Sequence, residues 1–207
     1  MEKFNRKEHW ENIYSTKALN EVSWYQPTPE TSLSIIEETN TPKDAAIIDI
    51  GGGDSFLVDH LLKAGYTNIT VLDISEKAIE RAKTRLGNDA NKIKWICVDA
   101  AQFKPSEQYD LWHDRAAFHF LTDIKEIENY THTVYNNLTN NGNLVIGTFA
   151  KNGPLKCSGI EISQYNAEDL ENTFSKLILK ESYKVAHPTP FDTIQNFTFC
   201  WFNVNFG

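Results

Sequence analysis

Short apolar runs alternate with amphipathic stretches over the first two thirds of the chain. The apolar runs are almost continuous, which is typical of strands buried on both faces of a parallel sheet. They cover residues 45–50, 69–72, 93–98, 109–113 and 143–149. Between them the pattern predicts helices over 55–64, 76–86 and 124–138, and one through Phe118 and Leu121. This alternation predicts an α/β fold with a doubly wound sheet.

After residue 150 the pattern changes. Asn166 is placed to cap a short helix over 167–174, and two β-rich runs follow at 177–186 and 194–206. These runs predict an antiparallel hairpin, and Asn140 to Gly142 is expected to form a turn. The complete prediction is a seven-stranded sheet, mostly parallel, with one antiparallel C-terminal strand.

The N-terminal residues are predicted to lie outside the sheet. Residues 5–15 have helical spacing, and a second helix is expected to reach about residue 38, with Thr28 as its N-cap and Pro29 at its first position. We therefore expect one domain over 1–207. It comprises an N-terminal lid or extension (1–28), a cofactor-binding core (45–150), and a substrate-side loop, short helix and hairpin (151–207).

Three carboxylates stand at the ends of three predicted strands. They are Asp49, Asp73 and Asp99, spaced by one strand–helix–strand unit each. Because parallel strands end at the same edge of a sheet, one nucleoside-bearing ligand could contact all three. Asp73 can accept hydrogen bonds from ribose hydroxyls. Asp99 can accept from an adenine amino group while the backbone of Ala100 binds a ring nitrogen. The alternative is that each Asp only caps the next helix or turn.

Glycines follow the first strand and allow a ligand to approach the backbone. They are Gly51, Gly52 and Gly53. A dinucleotide fingerprint requires a further glycine where Phe56 stands. Asp54 would also repel a pyrophosphate at the start of the next helix. An acidic loop suits the cationic sulfonium of S-adenosylmethionine better.

This combination resembles the class I S-adenosylmethionine-dependent methyltransferases. The resemblance rests on IIDIGGGDS, VLDIS, CVDAAQF, YDLWHDR and LTNNGNLVIGTFA, with Ser55 in place of the family's third glycine. It implies a Rossmann-like fold, S-adenosylmethionine as cofactor, and methyl transfer to a nucleophile. Asp49, Ile74 and His113 are also expected at the cofactor site.

The end of the fourth strand is the expected acceptor site. Asp114 and Arg115 there resemble the pair found in thiopurine, thiol and halide methyltransferases, whereas several protein-lysine methyltransferases have aspartate–lysine. We interpret Arg115 as a clamp for an anionic part of the acceptor. The alternative is that Asp114 and Arg115 pair with each other or with the N-terminal segment.

His119 could act as a base, since its reference pKa is close to neutrality, or it could be packed in the core. The spacing of His113 and His119 does not favour a metal site, and none is predicted. The segment around Trp24 resembles one that covers the cofactor in thiol and halide methyltransferases. Trp24 and Tyr25 could close the pocket, or only tie the N-terminal segment to the sheet.

Charge and composition restrict the partners. The net charge is −8 and basic residues are not clustered, so nucleic acid and anionic membranes are not expected. Cys97, Cys157 and Cys200 lack a disulfide or zinc spacing, and Cys97, in an apolar strand, is expected to behave as a small hydrophobe. A polar N-terminus favours a cytoplasmic protein. The oligomeric state is not predicted.

The sequence thus predicts methyl transfer to a small nucleophilic acceptor, such as a thiol or a related soft nucleophile. Three alternatives stay open. The first is a protein-lysine methyltransferase, and the second is a catalytically silent cofactor-binding module. The third is an NAD-dependent oxidoreductase, which Asp54 and Phe56 disfavour.

Overall fold

A mixed seven-stranded sheet forms the centre of the computed structural model, which describes residues 4–204. The described strands are β1 (Ala46–Ile50), β2 (Asn68–Asp73), β3 (Ile93–Cys97), β4 (Tyr109–Arg115), β5 (Leu138–Phe149), β6 (Lys156–Cys157), β7 (Ile160–Glu161), β8 (Ile178–Pro188) and β9 (Ile194–Asn203). The sheet order is β3-β2-β1-β4-β5-β9-β8, and β6 and β7 form a separate ribbon. In the large sheet β9 is antiparallel to both β5 and β8, and the other neighbouring strands are parallel. The predicted fold class is confirmed.

Helices cover both faces of the sheet. The described α-helices are α1 (Arg6–Thr16), α2 (Glu30–Glu38), α3 (Leu57–Lys63), α4 (Glu76–Leu86), α5 (Ile124–Asn137) and α6 (Ala167–Thr173). Buried residues of α2 and α3 pack on one face, and those of α5 and α6 pack on the other. The central strands β1, β2 and β4 are therefore buried on both sides, as their continuous apolar runs predicted, whereas β3 and β8 are partly exposed.

The N-terminal helix is held on the domain by polar contacts. The carboxylate of Glu11 on α1 accepts hydrogen bonds from the backbone N–H groups of Glu76 (2.6 Å) and Lys77 (3.2 Å) at the start of α4. A carboxylate is favourable there because the first N–H groups of a helix have no partner within the helix. Arg81 on α4 donates to the carbonyl oxygens of Tyr14 (3.1 Å) and Lys17 (2.8 Å). These contacts fix α1 beside the carboxyl ends of the strands.

Several local predictions were wrong. The second helix begins at Glu30, and Pro29 is its N-cap with a non-helical ψ of 66°, so Thr28 does not cap it. The predicted Asn140–Gly142 turn is part of β5, because pairing with β4 continues back to Leu138 through a register shift. The helix through 118–121 is one 3₁₀ turn, Phe118–Phe120. The end of the predicted 194–206 strand lies outside the described residues.

Cys97 also differs from the prediction. It lies at the end of the edge strand β3 and is exposed rather than buried. An edge strand has a neighbour on one side only, so its final residue is less covered than those of the central strands.

Candidate active site

A large cavity lies beyond the carboxyl ends of β1, β2 and β4, where parallel sheets bind ligands. Residues from α1 and the segment after it, Arg6 to Gln26, form part of its wall. The cavity therefore has an inner wall made by the strand ends and an outer wall made by the N-terminal segment.

Asp49, at the end of β1, is buried in the inner wall with half of its carboxylate unused. Its Oδ1 accepts a hydrogen bond from Nδ1 of His113 at 2.7 Å. Its Oδ2 has no partner among residues 4–204. A buried carboxylate oxygen without a donor is costly, so this oxygen is suited to a cationic or hydrogen-bond-donating ligand.

The glycine turn after β1 brings backbone close to Asp49. Gly51 has φ of +69°, which glycine adopts without strain, and a Cβ on Gly52 would lie 2.2 Å from Asp49 Oδ2. Gly51 and Gly52 line the cavity. Gly53 is not among its lining residues and donates its N–H to Asp73 Oδ2 at 3.0 Å. Gly53 therefore supports the carboxylate of Asp73, and its predicted contact with the cofactor stays a prediction.

Asp73 ends β2 and faces the cavity, as does Ile74. Its Oδ1 accepts the N–H of Ser75 at 2.8 Å, and Gly53 holds the other oxygen. Each carboxylate oxygen still has a second lone pair for a ligand. Burial raises the pKa of Asp73 to about 6 despite these two hydrogen bonds.

Asp99 and Ala100 follow β3 and also line the cavity. One oxygen of Asp99 accepts the N–H of Ala101, and the other lies 3.0 Å from Nη2 of Arg6. The guanidinium of Arg6 also binds Glu126 through two hydrogen bonds, at 2.7 and 2.8 Å. Arg6 thereby joins α1 to Asp99, for which the sequence predicts a hydrogen bond to adenine.

Asp54 does not act as the sequence predicted. Its carboxylate is paired with Arg81 at 3.0 Å and with Arg85 at 2.9 Å. Two guanidinium groups offset its charge, so the loop is not a source of uncompensated negative charge. The electrostatic argument against a pyrophosphate is therefore wrong as stated, although Phe56 still occupies the position where a dinucleotide fingerprint needs glycine.

Arg115 lies at the end of β4 in the inner wall of the cavity. Its Nη1 donates to the carbonyl oxygen of Trp24 at 3.2 Å, and its guanidinium carbon lies 5.1 Å from the ring centre of Phe197. Nη2 is buried and has no partner within the described chain. Burial lowers the pKa of Arg115 to about 10. A buried cation with an unused donor is suited to an anionic ligand.

Asp114 and His119 are not brought into the cavity, which corrects their predicted catalytic roles. Asp114 is fully buried, and it accepts hydrogen bonds from the N–H groups of Ala117 and Phe118 and from the hydroxyl of Tyr130. It therefore caps the 3₁₀ turn after β4. His119 is also fully buried, and its Nδ1 accepts the N–H of Phe149. Burial lowers the pKa of His119 to about 3, so it is an unsuitable base.

Aromatic rings close the outer wall. Trp24 is in edge-to-face contact with Trp10 at 5.6 Å and with Tyr14 at 6.3 Å. The carbonyl oxygen of Trp24 accepts from Arg115. On β8, Nε2 of His187 donates to the carbonyl oxygen of Ser23, and Nδ1 accepts from the side-chain amide of Gln26. The segment that carries Trp24 is thus tied to both β4 and β8.

Sequence reasoning missed several cavity residues. They are Arg6, Tyr14, Ser32, Cys157 and Gln195. They come from α1, α2, β6 and β9, so no local motif connects them with the glycine turn. Gln195 Oε1 is buried and has no partner in the part of the chain that the structure describes.

The described residues contain no group of three His, Cys, Asp or Glu side chains that could hold a metal ion. Within the same residues, no helix has both the length and the apolar character needed to cross a membrane.

Comparison with known proteins agrees with this geometry. Residues 47–142 match a family model described as a methyltransferase domain. The malonyl-[acyl-carrier protein] O-methyltransferase 1 of Ilyobacter polytropus is 30% identical over 108 residues, which are 52% of this chain and 39% of that protein. The mouse eEF1A lysine and N-terminal methyltransferase is 26% identical over 126 residues, or 60% of this chain and 18% of that protein. The chain thus spans well under half of either relative.

Solved structures match almost the whole chain. An S-adenosylmethionine-dependent methyltransferase from Anabaena variabilis superposes with a TM-score of 0.76 at 16% identity, covering 98% of this chain and 96% of that one. The N-methyltransferase NodS of Bradyrhizobium japonicum, in complex with S-adenosylhomocysteine, gives 0.71 at 16% identity, with 97% and 99% covered. The chain thus has the same fold as these S-adenosylmethionine-dependent methyltransferases, and its segment 47–142 is similar to a methyltransferase domain. The thiopurine, thiol or halide subtype is not distinguished by these matches.

Proposed function

We propose that the protein transfers the methyl group of S-adenosylmethionine to a small nucleophilic acceptor, such as a thiol or another soft nucleophile. The observation that carries the proposal is the unpartnered Asp49 Oδ2, buried beside a glycine turn that leaves no room for a Cβ. The α-ammonium of the cofactor is a suitable donor for that oxygen.

The remaining strand ends fit the other parts of the cofactor. Asp73 would accept hydrogen bonds from the ribose hydroxyls, beside Ile74. Asp99 would accept from the adenine amino group, and the backbone of Ala100 would bind a ring nitrogen. All four residues line one cavity, which supports a single extended ligand.

The acceptor end is assigned to Arg115. When bound, the cofactor supplies an activated methyl group, and the protein must place the nucleophile about 3 Å from it in line with the leaving sulfur. The free Nη2 of Arg115 would hold an anionic part of the acceptor, against the ring of Phe197.

The N-terminal segment would act as the cover of this site. Trp10, Tyr14 and Trp24 line the cavity and would exclude water from the reacting atoms. A small acceptor suits a cavity that is walled on its outer side in this way.

A protein-lysine acceptor is a second candidate, favoured by the similarity to the mouse eEF1A lysine and N-terminal methyltransferase. Labelled S-adenosylmethionine separates the two candidates. The main proposal expects label in small thiols or other small nucleophiles, whereas label in protein bands would support the second. Cofactor binding with no transfer to either would indicate a silent binding module.

Cofactor identity is tested by calorimetry with S-adenosylhomocysteine and NAD in parallel. We expect micromolar or tighter binding of S-adenosylhomocysteine and no measurable binding of NAD. Tight binding of NAD, with no response to S-adenosylhomocysteine, would overturn the proposed function.

The ribose assignment predicts a pH dependence. At pH 7.5 Asp73, with its pKa near 6, is ionised, and Asp73→Asn is expected to weaken S-adenosylhomocysteine binding by about tenfold, since hydrogen bonds to charged groups contribute about 1.5–3 kcal/mol. As the pH falls through 6, wild-type Asp73 binds a proton and loses this advantage. The ratio of the two dissociation constants should therefore approach one near pH 5. A ratio that is constant from pH 7.5 to 5 would contradict the assignment.

A further inference from the structure

A chain of three buried polar side chains connects α2 to the cofactor-facing carboxylate. Ser32, on α2, is 1% exposed, and His113 and Asp49 are each 2% exposed. Nε2 of His113 lies 2.9 Å from Ser32 Oγ, and Nδ1 lies 2.7 Å from Asp49 Oδ1. His113 and Asp49 are direct neighbours in the register of β4 and β1.

Both ring nitrogens of His113 are therefore in use, although the ring lines the cavity. When the Ser32 hydroxyl donates to Nε2, the ring hydrogen lies on Nδ1 and points at Asp49. His113 then has no polar atom left for a ligand. This conflicts with a role as a direct cofactor ligand, which the sequence predicted.

The same geometry fixes the direction of the Asp49 carboxylate. A carboxylate can rotate about its terminal bond, and either oxygen could face the cavity if nothing held it. With Oδ1 held by His113, Oδ2 is the oxygen that stays unpartnered among the described residues. The Gly52 turn packs against this oxygen, since a Cβ on Gly52 would lie 2.2 Å from it.

We infer that His113 is a positioning residue, which holds Asp49 so that Oδ2 receives the α-ammonium of the cofactor, with Ser32 fixing the ring from behind. The inference rests on the proposed function. It assigns to α2 a part in cofactor binding although α2 lies outside the segment, 47–142, that matches the methyltransferase domain.

Two amide variants test which nitrogen matters. In His113→Asn the amide nitrogen stands near the place of Nδ1 and can still donate to Asp49. In His113→Gln it stands near the place of Nε2 and reaches Ser32 instead. We expect His113→Asn to bind S-adenosylhomocysteine within about threefold of wild type, and His113→Gln to bind it at least about tenfold more weakly.

A second ligand shows whether the loss concerns the ammonium. The probe is the analogue of S-adenosylhomocysteine in which hydrogen replaces the α-ammonium group. Wild type and His113→Asn should prefer S-adenosylhomocysteine to this analogue, and His113→Gln should have lost most of that preference. A general loosening of the site would weaken the binding of both ligands equally and would leave the preference for S-adenosylhomocysteine over the analogue unchanged.

The outcomes separate this inference from the proposed function. If wild type does not bind S-adenosylhomocysteine, the proposed function is wrong and the inference falls with it. If wild type binds and both amide variants keep the wild-type preference for the ammonium, only the inference is overturned.

Thermal unfolding checks that each variant folds. Should His113→Gln fail to fold, Ser32→Ala, which removes only the rear contact, is expected to reduce the preference by about twofold to threefold, and an unchanged preference would count against the inference.

Discussion

Gly52→Ala is expected to abolish measurable binding of S-adenosylhomocysteine. The new Cβ would lie 2.2 Å from Asp49 Oδ2 and 2.6 Å from its Cγ, far inside van der Waals contact. Asp49 cannot simply move aside, because His113 holds its other oxygen at 2.7 Å. Either the carboxylate or the glycine turn must shift, and both belong to the proposed cofactor site. We expect a loss of about 100-fold or more, measured by calorimetry, which corresponds to about 2.7 kcal/mol.

Gly65→Ala is the matched control for Gly52→Ala. Gly65 has φ of +88°, and a Cβ there would meet no atom within 4 Å. The substitution should reduce the free energy of unfolding by about 1–2 kcal/mol through backbone strain alone and leave the affinity unchanged. If Gly52→Ala binds like wild type while Gly65→Ala shows its expected loss of stability, the position of the cofactor beside Asp49 is wrong.

The parts of the site that could be predicted are those set by the strand ends. Asp49, Asp73 and Asp99 each follow a continuous apolar run, and strands buried on both faces of a parallel sheet must end at one edge. Their arrival at one cavity follows from the parallel direction of these strands, which the strand–helix alternation predicted. The C-terminal hairpin could also be predicted, since β8 and β9 are long and β9 is rich in β-branched and aromatic residues.

What could not be predicted is which charges are compensated. Asp54 looks like a free anion in the sequence, but α4 brings Arg81 and Arg85 to it from about 30 residues away. Asp114 looks catalytic beside Arg115. In the structure its oxygens are filled by the turn that follows it and by a tyrosine hydroxyl. Such pairings depend on helix placement and side-chain direction, which apolar periodicity does not specify.

Ser32 is a residue whose place at the site could not be predicted from the sequence. It is one serine in an amphipathic helix, with no motif around it. Only the packing of α2 against the sheet places it 2.9 Å from His113. A residue of this kind becomes visible when the partners of a buried polar neighbour are counted.

Arg115→Met is expected to stabilise the protein and to remove most of its activity. The buried Nη2 has no partner within residues 4–204, and burial lowers the pKa of the guanidinium to about 10. The charge of Arg115 therefore lowers the stability of the folded protein. A methionine fills similar space without a charge. Thermal unfolding should show that the free energy of unfolding rises by roughly 1 kcal/mol or more, which corresponds to an increase in Tm of about 2–4 °C. The specificity constant for a small acceptor, first identified with wild type, should fall by about 100-fold through loss of the anion clamp.

Arg115→Lys separates the charge of the clamp from its shape. Lysine keeps the charge but has no planar pair of donors. If the acceptor is held by two hydrogen bonds, the specificity constant of Arg115→Lys should therefore lie between those of wild type and Arg115→Met. Neither variant should change the affinity for S-adenosylhomocysteine by more than about twofold, because the contacts of Arg115 do not involve Asp49, Asp73 or Asp99. A loss of stability together with wild-type turnover in Arg115→Met would make Arg115 a structural residue that ties Trp24 to β4. A gain in stability together with lost turnover in Arg115→Met would support the proposal that the Arg115 guanidinium has an unused donor that binds the acceptor.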